Sequence, residues 1–151
     1  MSRFEQWLEG AGLGVVVMRF PAGTRTAVDA ARAVGCEVSQ IVKSLVFLAA
    51  GHPVVALVSG ANRLDEARLT KVAGEPVAKA DAEAARVATG YAIGGVPPFG
   101  HATDVPVFMD RDLFDHKVVW CAAGRPDAVF EISPERLREL SGATVVDLKA
   151  L

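Results

Sequence analysis

From Gln40 to Gly60 the chain is apolar with few breaks: QIVKSLVFLAAGHPVVALVSG. Two runs rich in Val, Ile, Leu and Phe, 41–49 and 53–60, are parted by AGHP around Gly51 and His52. That pattern predicts two strands joined by a turn. Elsewhere the apolar positions recur at helical spacing. SRFE opens the chain with a capping box, Ser2 with Glu5, and puts Phe4, Trp7 and Leu8 on one face of a short helix. TAVDAARAVG predicts a second helix, with Thr26 as N-cap, Asp29 in its first turn and Gly35 at its end. Two more helices are predicted over 62–72 and 81–89. The last, SPERLRELSG, has Ser133 as N-cap and Pro134 at the first helical position, where a missing N–H costs nothing. GVVVMRF, KVVWCAAG, AVFEI and TVVDL read as further strands. DRDLFDHK mixes charges and reads as a solvated turn with a helical element.

Strands come in adjacent groups with helices between the groups, which predicts an α+β fold rather than regular βαβ winding. The longest irregular segment is Gly90 to Pro106, and there is no repeat or linker. A chain of 151 residues fits one compact domain, 1–151, and buries enough surface to need no disulfide or metal. The net charge of −2 argues against coating long nucleic acid by a general positive field, and leaves room for a local basic grip on one end. No apolar run approaches the ~20 residues of a membrane span. The opening residues lack the basic-then-apolar plan of a signal peptide, so a cytoplasmic protein with no membrane partner is expected. Cys36 and Cys121 are lone cysteines in apolar settings, expected to be small packed side chains.

Lys43 breaks the first strand. In an extended chain Ile41, Lys43, Leu45 and Phe47 share a face, so an ammonium points the way three large apolar groups point. Two placements satisfy this: the lysine snorkels to water from the strand end, or it projects into a cleft to meet a phosphate, an oxyanion or a proton. The loop GGVPPFGH is the second candidate. Gly94 and Gly95 allow conformations and approaches that a Cβ would block, while Pro97 and Pro98 stiffen the chain. Such a turn can aim backbone N–H groups at a carbonyl oxygen or phosphate, or it can be a plain connection. His52, His101 and His116 show no metal-ligand spacing, and only His101, just after the loop, falls near a candidate site. No G-x-S-x-G surrounds Ser44, Ser59 or Ser141. Arg19, Arg25, Lys71 and Lys79 are available to a polyanion, or simply solvate a surface.

Together, TAVDAARAVGCEVSQIVKSLVFLA, GYAIGGVPPFGH and VVWCAAGRPDAVFEISPERLREL resemble, in order and spacing, the YbaK/prolyl-tRNA-synthetase-associated family of aminoacyl-tRNA deacylases. The resemblance covers nearly the whole chain. It implies a mixed, mostly antiparallel, barrel-like β core with surrounding helices. It also implies hydrolysis, in trans, of the ester joining a wrong amino acid to the terminal adenosine of tRNA, with no metal or cofactor. The implied partners are the aminoacyl-tRNA acceptor end and an aminoacyl-tRNA synthetase or elongation factor. On this resemblance Lys43, Gly94 and Gly95 carry the catalysis. Thr26, Ser44, Val96, Pro97, Pro98, Phe99, His101, Ala122 and Ala123 contact the substrate.

The chain departs from the family in two places. WCAAG offers Cys121, Ala122 and Ala123 where some members carry Ser or His, and these are expected to be pocket wall. The loop reads Val96-Pro97-Pro98-Phe99 where others are more polar. One methylene in such a pocket is worth only ~1–3 kcal/mol, so the amino acid removed is not fixed by these residues. Two other functions compete: a module that binds the tRNA end and hydrolyses poorly, and a general protein-interaction domain, which would leave Lys43 and the stiff loop unexplained.

Overall fold

The structure, a computed structural model, describes residues 2–151. Ser2 and Glu5 exchange hydrogen bonds at the start of helix α1 (Arg3–Gly10), the reciprocal box their spacing predicts. Strand β1 (Val17–Arg19) is only the latter part of the predicted run. Helix α2 (Ala27–Val34) is capped by the Thr26 hydroxyl, which accepts the Asp29 N–H, and ends at Gly35 with φ 77°. Strands β2 (Val42–Ala49) and β3 (His52–Ser59) pair antiparallel, from Val42 opposite Ser59 to Ala49 opposite His52. The tight turn between them puts Ala50 and Gly51 both at positive φ, 49° and 85°.

Helix α3 (Glu66–Ala73) begins later than the predicted start at Asn62. The Asp65 side chain accepts the N–H groups of Ala67 and Arg68, and Leu64 is held extended by a bridge to Lys149, so the helix starts only after them. Strand β4 (Val77–Lys79) was not legible as one. Helix α4 (Ala82–Thr89) falls within the predicted 81–89, and Asp81 caps it by accepting the Ala84 N–H. Strand β5 (Val107–Asp110) is a second unforeseen strand, and a 3-10 helix spans Arg111–Asp115. The helical element is as expected, but the expected solvation fails at Asp110 and Leu113, which are fully buried. Strands β6 (Val119–Ala122) and β7 (Ala128–Ile132), helix α5 (Pro134–Ser141) with its Ser133 cap, and strand β8 (Thr144–Val146) complete the chain.

The fold is α+β and compact. One sheet has the order β4-β2-β3-β5-β8 and the other β1-β7-β6. Most pairings are antiparallel, but β5 lies parallel to both β3 and β8, so the larger sheet is mixed. Among the described residues one parallel backbone bridge, Ile41 with Trp120, links the sheets, and they do not close into a barrel. The strands β2 and β3 read as continuous apolar runs because both faces are covered. Val42, Val46, Val55 and Leu57 enter the main core with Phe4, Met109, Phe130 and Leu137. Phe47, Val54, Ala56 and Val58 enter a second core under Leu69 of α3 and Leu148. No helix among the described residues is long and apolar enough to cross a membrane.

Candidate functional site

Beside the bridge between the sheets lies a cavity of about 370 Å³. Its walls are Thr24–Ala27 and Ala30 at the head of α2, Ile41–Leu45 at the start of β2, Ile93, Gly94 and Val96 from the irregular loop, Trp120–Ala122 of β6, and Val129 of β7. Five separate parts of the chain meet here, and most of what they present is apolar.

Lys43 is the ammonium in this wall. It is half-buried, and its Nζ donates to the backbone carbonyl of Asn62 at 2.5 Å. Burial lowers its pKa from the ordinary lysine value. Lys43 lines the cavity, and one of its three N–H donors is committed to the Asn62 carbonyl. Behind it the Asn62 side-chain amide donates to Asp112 Oδ2 at 2.9 Å and to Asp110 Oδ2 at 3.4 Å. Asp110 Oδ1 accepts the N–H of Leu148 at 2.8 Å. Burial first, then the neighbouring Asp112 and Asp147, raise the Asp110 pKa against these hydrogen bonds.

Ser44 also lines the cavity, and its buried hydroxyl has no hydrogen-bond partner among the described residues. Its main chain is turned toward the open edge of β2. The Ile41 carbonyl accepts from Gly60, on the β3 side, and the Val46 carbonyl accepts from Ala80, on the other side. Alternation then turns the N–H and C=O of Ser44 away from β3. β4 covers that edge only at Phe47–Ala49 and β6 only at Ile41, so Ser44 lies in the gap between them.

The loop supplies the opposing wall through Gly94 and Val96. Gly94 has φ 92°, and a Cβ there would lie 2.9 Å from Arg25 Cγ, so the arginine stem lies over the glycine. Gly95 is one step removed: it does not line the cavity, and its N–H donates to Ala92 at 3.0 Å. A Cβ on it would lie 3.0 Å from the main chain of Arg125. Pro97, Pro98 and Phe99 are buried away from the cavity. Phe99 packs its ring against Phe4, Trp7 and Phe130 at 5.6–5.7 Å. His101 lies with Phe99 on a separate hollow, its Nε2 2.7 Å from the Pro97 carbonyl, and burial lowers its pKa.

The structure therefore brings Thr26, Lys43, Ser44, Gly94, Val96 and Ala122 together, and leaves Gly95, Pro97, Pro98, Phe99, His101 and Ala123 outside the cavity lining. The Thr26 hydroxyl already accepts the helix-capping N–H. Cys121 lines the cavity as expected of a wall, and burial drives its thiol pKa upward, so it is no thiolate nucleophile. Sequence reasoning missed Ile93, Trp120 and Val129 in the wall and Asn62 and Asp110 behind Lys43. Among the described residues no group of three or more His, Cys, Asp or Glu could hold a metal ion.

A sequence model of the aminoacyl-tRNA editing domain matches residues 21–140. The Bacillus subtilis protein YwhH, itself uncharacterized, is 32% identical over 130 residues, 85% of this chain and 83% of that one. EbsC of Enterococcus faecalis, whose name proposes a Cys-tRNA(Pro)/Cys-tRNA(Cys) deacylase, is 28% identical over 82% of this chain and 76% of its own. A crystal structure described as a candidate trans-editing enzyme for prolyl tRNA synthetase superposes with a TM-score of 0.93 at 49% identity, covering 99% of this chain and 96% of that one.

Proposed function

The chain belongs to the aminoacyl-tRNA editing domain family, and from that premise we propose that it is a trans-editing deacylase that hydrolyses the ester of a mischarged tRNA. The carrying observation is a half-buried ammonium, Lys43, at a largely apolar cavity walled on the other side by the Gly94 loop. An aminoacyl ester is already activated, so cleavage needs a positioned water and stabilisation of the tetrahedral oxyanion rather than a protein nucleophile.

In this reading two Lys43 donors remain for the substrate's carbonyl oxygen and terminal nucleotide. Gly94 and Val96 bound the aminoacyl group, Ala122 and Cys121 close its far side, and the Ser44 hydroxyl and main chain offer further hydrogen bonds to it. Water adds to the ester carbon, charge gathers on the carbonyl oxygen near Lys43, and the ribose oxygen leaves with a proton. A vicinal ribose hydroxyl orients the water. Arg25, exposed over Gly94, supplies a cation for the adjoining phosphate. The tRNA acceptor end is the partner gripped, and the relation to prolyl-tRNA synthetase named for the solved neighbour suggests a synthetase as the second partner.

The test is deacylation of a panel of tRNAs mischarged with small amino acids by wild type and Lys43→Ala. We expect hydrolysis of one or two substrates, falling by roughly 10²–10³ in the variant, the size of effect seen when one oxyanion donor is lost. No hydrolysis across the panel, with charged-tRNA binding intact, would overturn the enzyme reading in favour of a binding module. Full activity in Lys43→Ala would overturn the site.

A further inference from the structure

We propose, resting on the deacylase reading, that Asn62 is a positioning residue for Lys43, and that the Asp110 and Asp112 carboxylates hold Asn62 in place. Lys43 is anchored by a main-chain oxygen, so its ammonium can be no better placed than the turn that carries that oxygen. The turn is short. Ser59 ends β3, and the Asn62 N–H donates back to the Ser59 carbonyl at 2.9 Å. One of its sides is fixed by the segment just before β2. The Ser59 hydroxyl donates to the Ser39 carbonyl at 2.8 Å, and a Cβ on Gly60 would meet the Val38 carbonyl at 2.6 Å.

The other side is held from far along the chain. The two carboxylates that receive the Asn62 amide come from the end of β5 and the 3-10 helix after it. Asp110 has no exposure at all, and its two oxygens take different donors: Leu148 N–H on one, Asn62 on the other. The flanking segment is tied to the same place, with Asp65 N–H to the Leu148 carbonyl and Ala150 N–H to the Arg63 carbonyl, both 2.8 Å. The charges around this knot are Lys149, 3.8 Å from Asp112, and Asp147, which is paired with Arg68 and Arg111. Asn62 thus spans two roles: its backbone receives the ammonium and its side chain ties that backbone to a buried carboxylate. The active cation is referenced to the C-terminal end of the large sheet rather than to its own strand alone.

The experiment combines deacylation kinetics, thermal unfolding and the ¹⁵Nζ signal of the Lys43 ammonium in the free protein, identified by its loss in Lys43→Ala. An ammonium fixed by a carbonyl exchanges its protons slowly enough to be seen, and a free one does not. We expect Asn62→Ala to lower kcat about tenfold, more than it changes KM, and to erase the Lys43 signal, as misplacement of a catalytic group should. Asp112→Asn, which still offers Asn62 an oxygen acceptor, should lower kcat only about threefold and keep the signal. An Asn62→Ala protein that unfolds earlier but keeps wild-type kcat and the signal would overturn the proposal and leave a structural tie. Should Lys43→Ala keep full activity, the deacylase site assignment falls instead, and the ammonium signal in Asn62→Ala still decides whether Asn62 holds Lys43.

Discussion

The two walls of the cavity are built by opposite means. The β2 wall is a paired strand: Lys43 and Ser44 are fixed by a register that runs unbroken from Val42 to Ala49 against β3. The facing wall belongs to residues 90–106, which contain no helix or strand among the described residues. Its order comes from side chains. Tyr91, Val96, Phe99 and Val105 are all buried, and Phe99 joins Phe4, Trp7 and Phe130 in one aromatic cluster. A backbone ladder fixes where a charge points, whereas a loop pinned by aromatic side chains fixes a shape and leaves its glycines free to be close to a ligand. On the proposed deacylase reading, placing an ammonium and shaping a pocket around an amino acid are different tasks, and each wall suits one.

The largest expected effect breaks the loop's anchor. Phe99→Ala should cost about 3–5 kcal/mol, the usual range for a buried aromatic truncated to Ala. Urea unfolding measures it, and hydrogen exchange should show protection lost first in residues 90–106 while β2 and β3 stay protected. Uniform loss across both walls would show that they are one cooperative unit.

Gly95→Ala comes next. The added methyl would press on the Arg125 main chain, which cannot swing aside as a side chain can, so the loop must shift by a few tenths of an ångström. Activity should fall about tenfold, or ~1.4 kcal/mol of transition-state stabilisation, with little change in melting temperature. Unchanged kcat/KM would mean that the loop's fine position does not matter.

Ser44→Ala sharpens the contrast from the strand side. Deleting a buried hydroxyl that has no partner should leave stability unchanged or raise it by up to about 1 kcal/mol, while kcat/KM falls several-fold. Loss of stability by more than that amount would reveal a partner for the hydroxyl in the free protein.

The smallest effect is on pH dependence. Burial lowers the Lys43 pKa, so the ammonium is lost as pH rises through a value below the ordinary 10.5. Enzymatic deacylation, corrected for spontaneous hydrolysis, should therefore decline on an alkaline limb that begins below that value. A rise over the same range would mean that the neutral amine acts as a base.

What the sequence revealed was mostly what is local. The caps at Ser2, Thr26 and Ser133 fall where predicted, because a cap is a contact between neighbours three residues apart. Lys43 was conspicuous as a charge inside an apolar run. β4 and β5 were not legible: they are three and four residues long and exist only through pairing with β2, β3 and β8. Trp120 and Val129 carry no mark that distinguishes a cavity wall from a core. The tie between Asn62 and Asp110 joins residues 48 positions apart and has no signature in either neighbourhood. The family resemblance implies that Phe99 and His101 contact substrate; in the structure both line a hollow separate from the Lys43 cavity.

The cavity's parentage also bears on how the molecule comes into being. Its walls span residues 24 to 129, and the parallel pairing of β5 with β3 joins residues 55–57 to 107–109. Contacts so distant in sequence make for a high contact order and slow closure. During synthesis the hairpin of β2 and β3 can pair early, but no partial chain lacking β6 and β7 has a cavity. The Lys43 strand emerges from the ribosome long before β6 and β7, the segments that complete the cavity beside it.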